Sequence, residues 1–323
     1  TDYLETYENT AVATYQNNTL GIDFAEKFDF DISKPLGRLR TFVNIPVTID
    51  GSRSLSMDMS ANQKNDTSAS SLNQLRGTFN LNNYNISQDE IRFEFDYRLH
   101  SVPLFDTMNR VKVRGTETDP WIALQPFDTN LTGSIQKYGQ VMLRDILAAN
   151  GQQYSTSTQV AIQQRDITLI SGINYGTGLT LDNFRIFIAQ NDIGLVKTLN
   201  IQNFNCGLSN AVPLQVEVAN TMMTQKTNIP IFYQVDNQSI VSELIPSINA
   251  KDTIIYTFSN LMDLAAPGAH NLRIWIAFPG DNYPSNDTLK DIKIHNQPVV
   301  QTFPYLENFE TNDGYYFTDG KNS

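Results

Sequence analysis

The stretch Ile91-Arg92-Phe93-Glu94-Phe95-Asp96-Tyr97-Arg98-Leu99 alternates apolar and polar side chains without a fault. Side chains on a β-strand point to opposite faces with a period of two. Ile91, Phe93, Phe95, Tyr97 and Leu99 therefore share one face, and Arg92, Glu94, Asp96 and Arg98 share the other. That predicts a half-buried strand of a sheet with one wet face. Weaker alternation runs through residues 39–49, 110–114, 121–124, 159–163 and 184–188. Turn clusters separate these segments, among them Asp50-Gly51-Ser52 and Asn174-Tyr175-Gly176-Thr177-Gly178. Only residues 141–149 have helical character, and that stretch is short. Many short strands in succession predict a jelly-roll sandwich over residues 1–198.

From Leu199 the rhythm tightens. Strands are expected at 214–218, 231–235, 240–245, 254–258, 272–278 and 289–294. Their short, even spacing over residues 199–299 predicts an immunoglobulin-like sandwich, with Trp275 filling its core. No composition shift near Leu199 marks a flexible linker, so the two domains are expected to stack closely. The fold class is thus all-β, one sandwich following another.

One hexamer occurs twice. Tyr3-Leu4-Glu5-Thr6-Tyr7-Glu8 near the start returns as Tyr305-Leu306-Glu307-Asn308-Phe309-Glu310, 302 positions later. Four positions are identical and a fifth exchanges one aromatic for another. The second copy follows Asn296-Gln297-Pro298 and Pro304. This placement predicts an array with a period of about 300 residues, in which residues 300–323 open a further jelly-roll repeat.

Apolar residues make up 40% of the 323, enough for real cores, while charge is confined to 18% and Asn, Gln, Ser and Thr cover the surface. The formal charge of −11 argues against an electrostatic grip on nucleic acid or anionic lipid, both of which need clustered Lys and Arg. No apolar run approaches the ~18 residues of a membrane span. Cys206 is the single cysteine, so no intrachain disulfide can form, and the role of a small buried hydrophobe is expected for it. With neither an initiator Met nor a signal peptide, the chain is expected to be an excerpt of a longer polypeptide.

Several longer runs carry a family resemblance. They are Phe79-Asn80-Leu81, Phe95-Asp96-Tyr97-Arg98, and Val113-Arg114-Gly115-Thr116-Glu117-Thr118-Asp119-Pro120-Trp121-Ile122. To these belong Gly151-Gln152-Gln153-Tyr154-Ser155-Thr156-Ser157 and Leu181-Asp182-Asn183-Phe184-Arg185-Ile186. Together they resemble the MAM-like jelly-roll modules of very large Bacteroidota surface proteins. Residues Pro213-Leu214-Gln215-Val216-Glu217-Val218-Ala219-Asn220, Asn228-Ile229-Pro230-Ile231, Tyr256-Thr257-Phe258 and Asp263-Leu264 resemble the CARDB-like immunoglobulin modules that accompany them. The resemblance implies export by the type IX secretion system and a place on the outer-membrane-attached cell surface, as in gliding-motility adhesins of the SprB type.

Modules of this kind often hold a structural calcium where the first strand meets the last. Calcium takes six to eight oxygen ligands. Glu5, Glu8 and Asp182 occupy suitable places, with Glu307 and Glu310 as their counterparts in the next repeat. Asp182 shares parity with Phe184 and Ile186, which points it inward, where a carboxylate needs a partner. The alternative is that all three are ordinary strand-end acids. The acid-rich loop at 281–287 is expected to be merely solvated.

Catalysis finds no constellation. His100, His270 and His295 are scattered, and there is no zinc-protease helix, serine elbow or Walker lysine. Glu94 and Asp96 could pair as glycosidase acids, but Arg92 and Arg98 beside them suggest a charge-balanced face. Trp121, after Asp119-Pro120, is a candidate to stack on a sugar ring or a strand-entry core residue. Asp106-Thr107-Met108, Asp252-Thr253-Ile254 and Asp287-Thr288-Leu289 match the Bacteroidota O-glycosylation pattern at Thr107, Thr253 and Thr288. The expected function is a non-catalytic structural and adhesive repeat. Its partners would be neighbouring repeats, a surface polysaccharide or substratum, and the secretion machinery. The alternative is a carbohydrate-binding accessory module of a secreted polysaccharide-degrading enzyme.

Overall fold

A computed structural model describes residues 2–15, 19–22, 26–33, 37–43, 48–59, 71–100, 108–166, 178–310 and 314. The chain divides into two compact units, Thr1–Ile188 and Ala189–Ser323.

The first unit is a sandwich of two antiparallel sheets. Its strands in chain order are β1 (Asp2–Glu5), β2 (Thr14–Tyr15), β3 (Phe28–Ile32), β4 (Gly37–Phe42), β5 (Ser54–Met59) and β6 (Ser71–Phe79). They continue as β7 (Ile91–Leu99), β8 (Arg110–Arg114), β9 (Ile122–Pro126), β10 (Gln136–Met142), β11 (Thr158–Asp166) and β12 (Leu179–Ile188), with helix α1 (Leu143–Ala149) after β10. One sheet runs β10-β7-β12-β5-β4-β2 and the other β3-β6-β11-β8-β9. This is the jelly-roll type of architecture.

Strand β12 organises the first sheet. It pairs with β7 along one edge, and its other edge is shared. Leu179, Thr180 and Leu181 pair with β5, whereas Phe184, Arg185, Ile186 and Phe187 pair with β1. The register slips between Asp182 and Arg185, where Asn183 takes a left-handed φ of 51°. Such a bulge re-aims side chains at a strand junction.

Phe184 lies at the centre of the core. Its ring centroid is 5.1 Å from Phe28, edge-on, and 5.7 Å from Phe79, stacked. Phe93 and Phe95 stack at 6.1 and 6.2 Å. Aromatic pairs at these spacings add to the ~1.5–3 kcal/mol that burial of each such side chain contributes. Gly77 on β6 is required here, because a Cβ would meet the Phe79 ring at 2.7 Å and Phe28 at 2.9 Å.

The apolar face of β7 is buried as its alternation predicts, but its polar face is not uniformly wet. Arg92 is fully buried and Glu94 is 7% exposed. Arg92 lies between Met142 on β10 and Phe187 on β12. Glu94 faces Arg185 at 3.8 Å and Lys137 at 4.0 Å, and Lys137 reaches Asp96 at 3.2 Å. Flanking strands, rather than water, cover the first two charges of the row, while Asp96 and Arg98 stay partly exposed.

The second unit contains β13 (Ile193–Thr198), β14 (Phe204–Cys206), β15 (Gln215–Asn220), β16 (Lys226–Val235), β17 (Val241–Ile248), β18 (Thr253–Thr257), β19 (Gly268–Ile276) and β20 (Thr288–Gln297). Sheets β13-β15-β18 and β14-β20-β19-β16-β17 face each other in an immunoglobulin-like sandwich. The division falls earlier than the expected boundary near Leu199. Strand β13 belongs to the second unit because it pairs with β15, Leu195 opposite Val218. Trp275 is also misplaced by the sequence reading. Leu272, Ile274 and Ile276 are buried, so Trp275 is on the outer face, stacked on Phe232 at 5.3 Å with Arg273 over its ring. Cys206 is exposed. Among the described residues beyond Gln297 there is no strand.

Candidate functional site

The site is the seam where β1 meets β12. Downstream of β1 the backbone turns sharply at Tyr7, whose φ of 56° is uncommon for a bulky residue. Glu5 fixes this turn, its Oε1 accepting the Tyr7 N–H at 2.7 Å while Oε2 accepts from Tyr3 Oη at 3.0 Å. The turn drives the Tyr7 ring into the core, 0% exposed, edge-on to Phe28 at 6.0 Å. Glu8 then reaches the loop that enters β5. Its carboxylate accepts from Ser52 N–H at 2.8 Å, from Ser52 Oγ, and from Arg53 N–H at 2.9 Å. Gly51 makes room for it: its φ is 58°, and a Cβ there would meet Glu8 Oε1 at 2.3 Å.

Asp182 sits below the same loop, 1% exposed. It accepts from Ser54 Oγ at 2.7 Å, Asn183 N–H at 2.8 Å and Asp50 N–H at 3.2 Å. Burial pushes its carboxyl up to about 6; the hydrogen bonds oppose the rise and the nearby charge of Glu8 adds to it. Burial also raises Glu8, but its hydrogen bonds to Ser52 and Arg53 outweigh that and hold it below the usual carboxylate range.

Of the three acids expected to hold calcium, the structure brings Glu8 and Asp182 together around residues 50–54, while Glu5 is turned to Tyr3 and Tyr7. Among the described residues no group of three or more His, Cys, Asp or Glu has the arrangement of a metal centre. The donor set on hand is two carboxylates already engaged by N–H and O–H groups, so a cation would need backbone carbonyls to complete its shell.

The second copy of the hexamer reproduces the first turn. Phe309 also has a φ of 56°, and Glu307 Oε1 accepts its N–H at 2.8 Å. Glu310 differs, its own N–H donating to Asn308 Oδ1 at 3.2 Å. Among the described residues no sandwich surrounds this copy: Phe309 is 60% exposed where Tyr7 is buried.

Beside β1 opens a cleft of about 350 Å³, lined among others by Tyr3, Tyr84, Asn80, Asn83, Lys27 and Phe187. Sequence reasoning missed it because its walls come from residues far apart in the chain. Trp121 is elsewhere, half-buried just before edge strand β9, and Arg114 lies 4.2 Å over its ring. Arg114 is itself anchored to Gln159 Oε1 at 2.8 Å, so one face of the indole is already covered. Thr253 is exposed at the start of β18, Thr288 is half-buried opposite Trp275, and Thr107 lies outside the described residues.

The histidines stay apart. His270 bridges Asp236 Oδ2 at 2.7 Å and the Ala266 carbonyl at 2.8 Å, engaging both ring nitrogens. Burial drops His100 to about 4, and its Nε2 is 2.6 Å from Thr180 Oγ1.

The loop at 281–287 is not merely solvated. Asp281 accepts from Ile193 N–H at 2.9 Å and Tyr283 N–H at 2.8 Å. Fully buried Asp192 accepts from Thr221 Oγ1 and Asn286 Nδ2, both at 2.8 Å. Asp287, desolvated and close to the charges of Asp281 and Asp192, is pushed up to about 7.

No family model matches the chain, and no curated protein matches it. Among solved structures it is similar to the CBM22-1 xylan-binding domain of Paenibacillus barcinonensis Xyn10C, at 10% identity and a TM-score of 0.30 over 58% of this chain and 92% of that one. The β-1,2-glucanase of Parabacteroides distasonis gives 11% and 0.34, over 92% of this chain and 40% of the glucanase. The adhesin domain of Epf from Streptococcus pyogenes gives 10% and 0.24, over 94% and 93%. Each is a partial likeness, and the functional reading rests on the chain's own residues.

Proposed function

We propose that the chain is a non-catalytic structural and adhesive repeat segment of a long cell-surface filament or adhesin, of gliding motility or surface attachment, exported by the type IX secretion system. One observation carries the reading. The hexamer at 305–310 returns 302 positions after the first with the same carboxylate-to-amide bond and the same left-handed aromatic residue. A turn that forms without the sandwich around it is encoded locally. Its recurrence supports a second sandwich beginning there.

Arrays gain reach by adding units, and many weak contacts along one chain sum to firm attachment. Neighbouring repeats, a surface polysaccharide or substratum, and the secretion machinery are the partners of this proposal. Calcium beside Glu8 and Asp182 belongs to it as well, supported by two like charges held close together; the cation would cancel their repulsion and brace the β1 seam. Glycans on Thr107, Thr253 and Thr288 complete it.

The deciding experiment is the mass and domain content of the native parent polypeptide, isolated from the cell surface. Many copies of the 302-residue unit are expected. A modest chain ending in a catalytic domain overturns the filament reading and leaves the second one, a carbohydrate-binding accessory module. The cleft of Tyr3, Tyr84, Asn80 and Asn83 favours that alternative, since rings and amides together suit a sugar's C–H faces and hydroxyls.

A further inference from the structure

The cleft beside β1 joins an apolar floor to a polar rim. Phe79, Leu81, Ile91 and Ile186 line it from the core, none more than 7% exposed. Half-buried Tyr3 and Tyr84 add ring surface, and the exposed amides of Asn80 and Asn83 stand above them. The turn carrying these residues is held by the Tyr84 N–H, which donates to the Leu81 carbonyl at 3.1 Å. Asn80 Oδ1 accepts from the Asn82 N–H at 3.2 Å, which leaves its Nδ2 group for a ligand. Among the described residues the Asn83 amide has no partner.

Charge, chemistry and size narrow the occupant. Lys27 and Asp2 oppose each other in the lining. Arg185 clamps Asp2 through Nε at 3.0 Å and Nη2 at 2.7 Å, and its other side faces Glu94 at 3.8 Å. No net charge is left to select a phosphate or a carboxylate, and a chain of charge −11 repels acidic polymers. Ring faces suit the C–H faces of a sugar, and an amide both donates and accepts, as neighbouring hydroxyls require. The cleft measures about 350 Å³. That is near the lower end of the roughly 300–1,000 Å³ of ligand pockets, enough for about one or two sugar rings. The core residues close its floor, so a polymer cannot run through.

We propose that this cleft binds the neutral end of a glycan, a terminal pyranose or short branch that enters end-on. Tyr84 stacks on the ring, and Asn80 and Asn83 hold its hydroxyls. Stacking falls to Tyr84 because the Tyr3 ring already faces the Lys27 ammonium at 5.4 Å. The assignment rests on the adhesive reading above and gives its polysaccharide partner a class, a site and a mode of entry. Tyr3 belongs to the repeated hexamer, and Tyr305 has the same place in the second copy. Each further unit would rebuild that wall, and weak sites along a filament sum to firm attachment.

Calorimetric titration of the full chain tests this. The probes are di- and hexasaccharides of β-linked glucose, xylose and mannose, with digalacturonate as the charged control. At least one neutral series is expected to bind, its short and long members with equal affinity, since each chain has one such end. Tyr84→Ala and Asn83→Ala should each weaken binding by about tenfold. Asn83 is exposed, so its variant keeps the fold should Tyr84→Ala lose it. Silence from every neutral probe, binding of the charged control alone, or an affinity untouched by Asn83→Ala overturns the site. A hexasaccharide that binds far more tightly than its disaccharide overturns end-on entry. The mass of the parent polypeptide separates the two readings: a giant repeat chain that ignores every probe keeps the filament and loses the cleft, whereas a short chain that binds does the reverse.

Discussion

Tyr256 Oη donates to Glu243 Oε2 at 2.7 Å, and the bond links the edge strand β18 of one sheet to the edge strand β17 of the other. Glu243 also accepts from Ser259 N–H at 3.1 Å, Ser259 Oγ at 2.8 Å, Asn260 N–H at 2.9 Å and Asn260 Nδ2 at 2.7 Å. One carboxylate thus closes an open side of the second sandwich. Glu243→Gln replaces two accepting oxygens with one and turns an amide donor toward the same N–H groups. A loss of about 1–3 kcal/mol is expected, toward the lower end because the residue is half-buried, read as a lower denaturation midpoint.

The same carboxylate sets an acid limb. Burial opposes its charge, but the bonds from Asn260, Ser259 and Tyr256 prevail and hold it at about 2 against an ordinary 4.5. A depressed folded pKa contributes stability that is complete above the unfolded value and is lost as pH falls from 4.5 toward 2. Melts of the parent and of Glu243→Gln should therefore converge across that window. A constant gap between them would show that the bonds do not depend on the charge.

Asp287 works in the opposite direction. Desolvation and the charges of Asp281 and Asp192 raise it to about 7 from 3.8. The folded state holds its proton longer than the unfolded chain, so its contribution weakens as pH climbs from about 4 to about 7 and stays unfavourable above. Asp287→Asn is expected to raise the melting temperature of the second unit at pH 8, and to matter little below pH 4. Equal effects at both pH values would remove the charge-repulsion account.

These residues show what the sequence could and could not disclose. The buried side of β7 was legible because Phe93, Phe95 and Tyr97 follow the period-two rule. The covered charges of Arg92 and Glu94 were not, because alternation says which face a residue takes and nothing about Met142, Lys137 or Arg185 lying across it. Trp275 carried a readable signal that was passed over: it falls out of phase with Leu272, Ile274 and Ile276. Strand β13 was assigned to the wrong unit since its partner, β15, is chosen by tertiary pairing rather than local pattern. The turn at Tyr7 was half visible. The repeated hexamer marked the place, but only coordinates show Glu5 holding the amide two residues on.

Calcium has a test with opposed outcomes. Asp182, raised to about 6 by burial and next by unfavourable proximity to Glu8, is destabilising as an anion in the absence of a cation. Under the calcium proposal it is a ligand once the cation binds. Chelator is expected to lower the melting temperature of the first unit, and Asp182→Ala to abolish that difference. A melt unchanged by chelator, with Asp182→Asn stabilising at neutral pH, would leave Asp182 as a buried acid held by Ser54 and the amides of Asp50 and Asn183.

The two units have separate cores, and each can be tested through one residue. Phe184 touches Phe28, Phe79, Phe93 and Phe95, which come from both sheets of the first sandwich. Truncation to Ala removes the ring that joins those layers and opens a cavity that rigid β-strands cannot close. Losses of about 3–5 kcal/mol attend such changes in a packed core. The buried cluster around Ile231, Ile274 and Phe258 in the second sandwich contains no member of the Phe184 cluster. Differential scanning calorimetry of Phe184→Ala should therefore move one transition down and leave the other in place, whereas Glu243→Gln moves only the one that Phe184→Ala spares. A single transition that shifts with either substitution would mean that the two sandwiches unfold as one body.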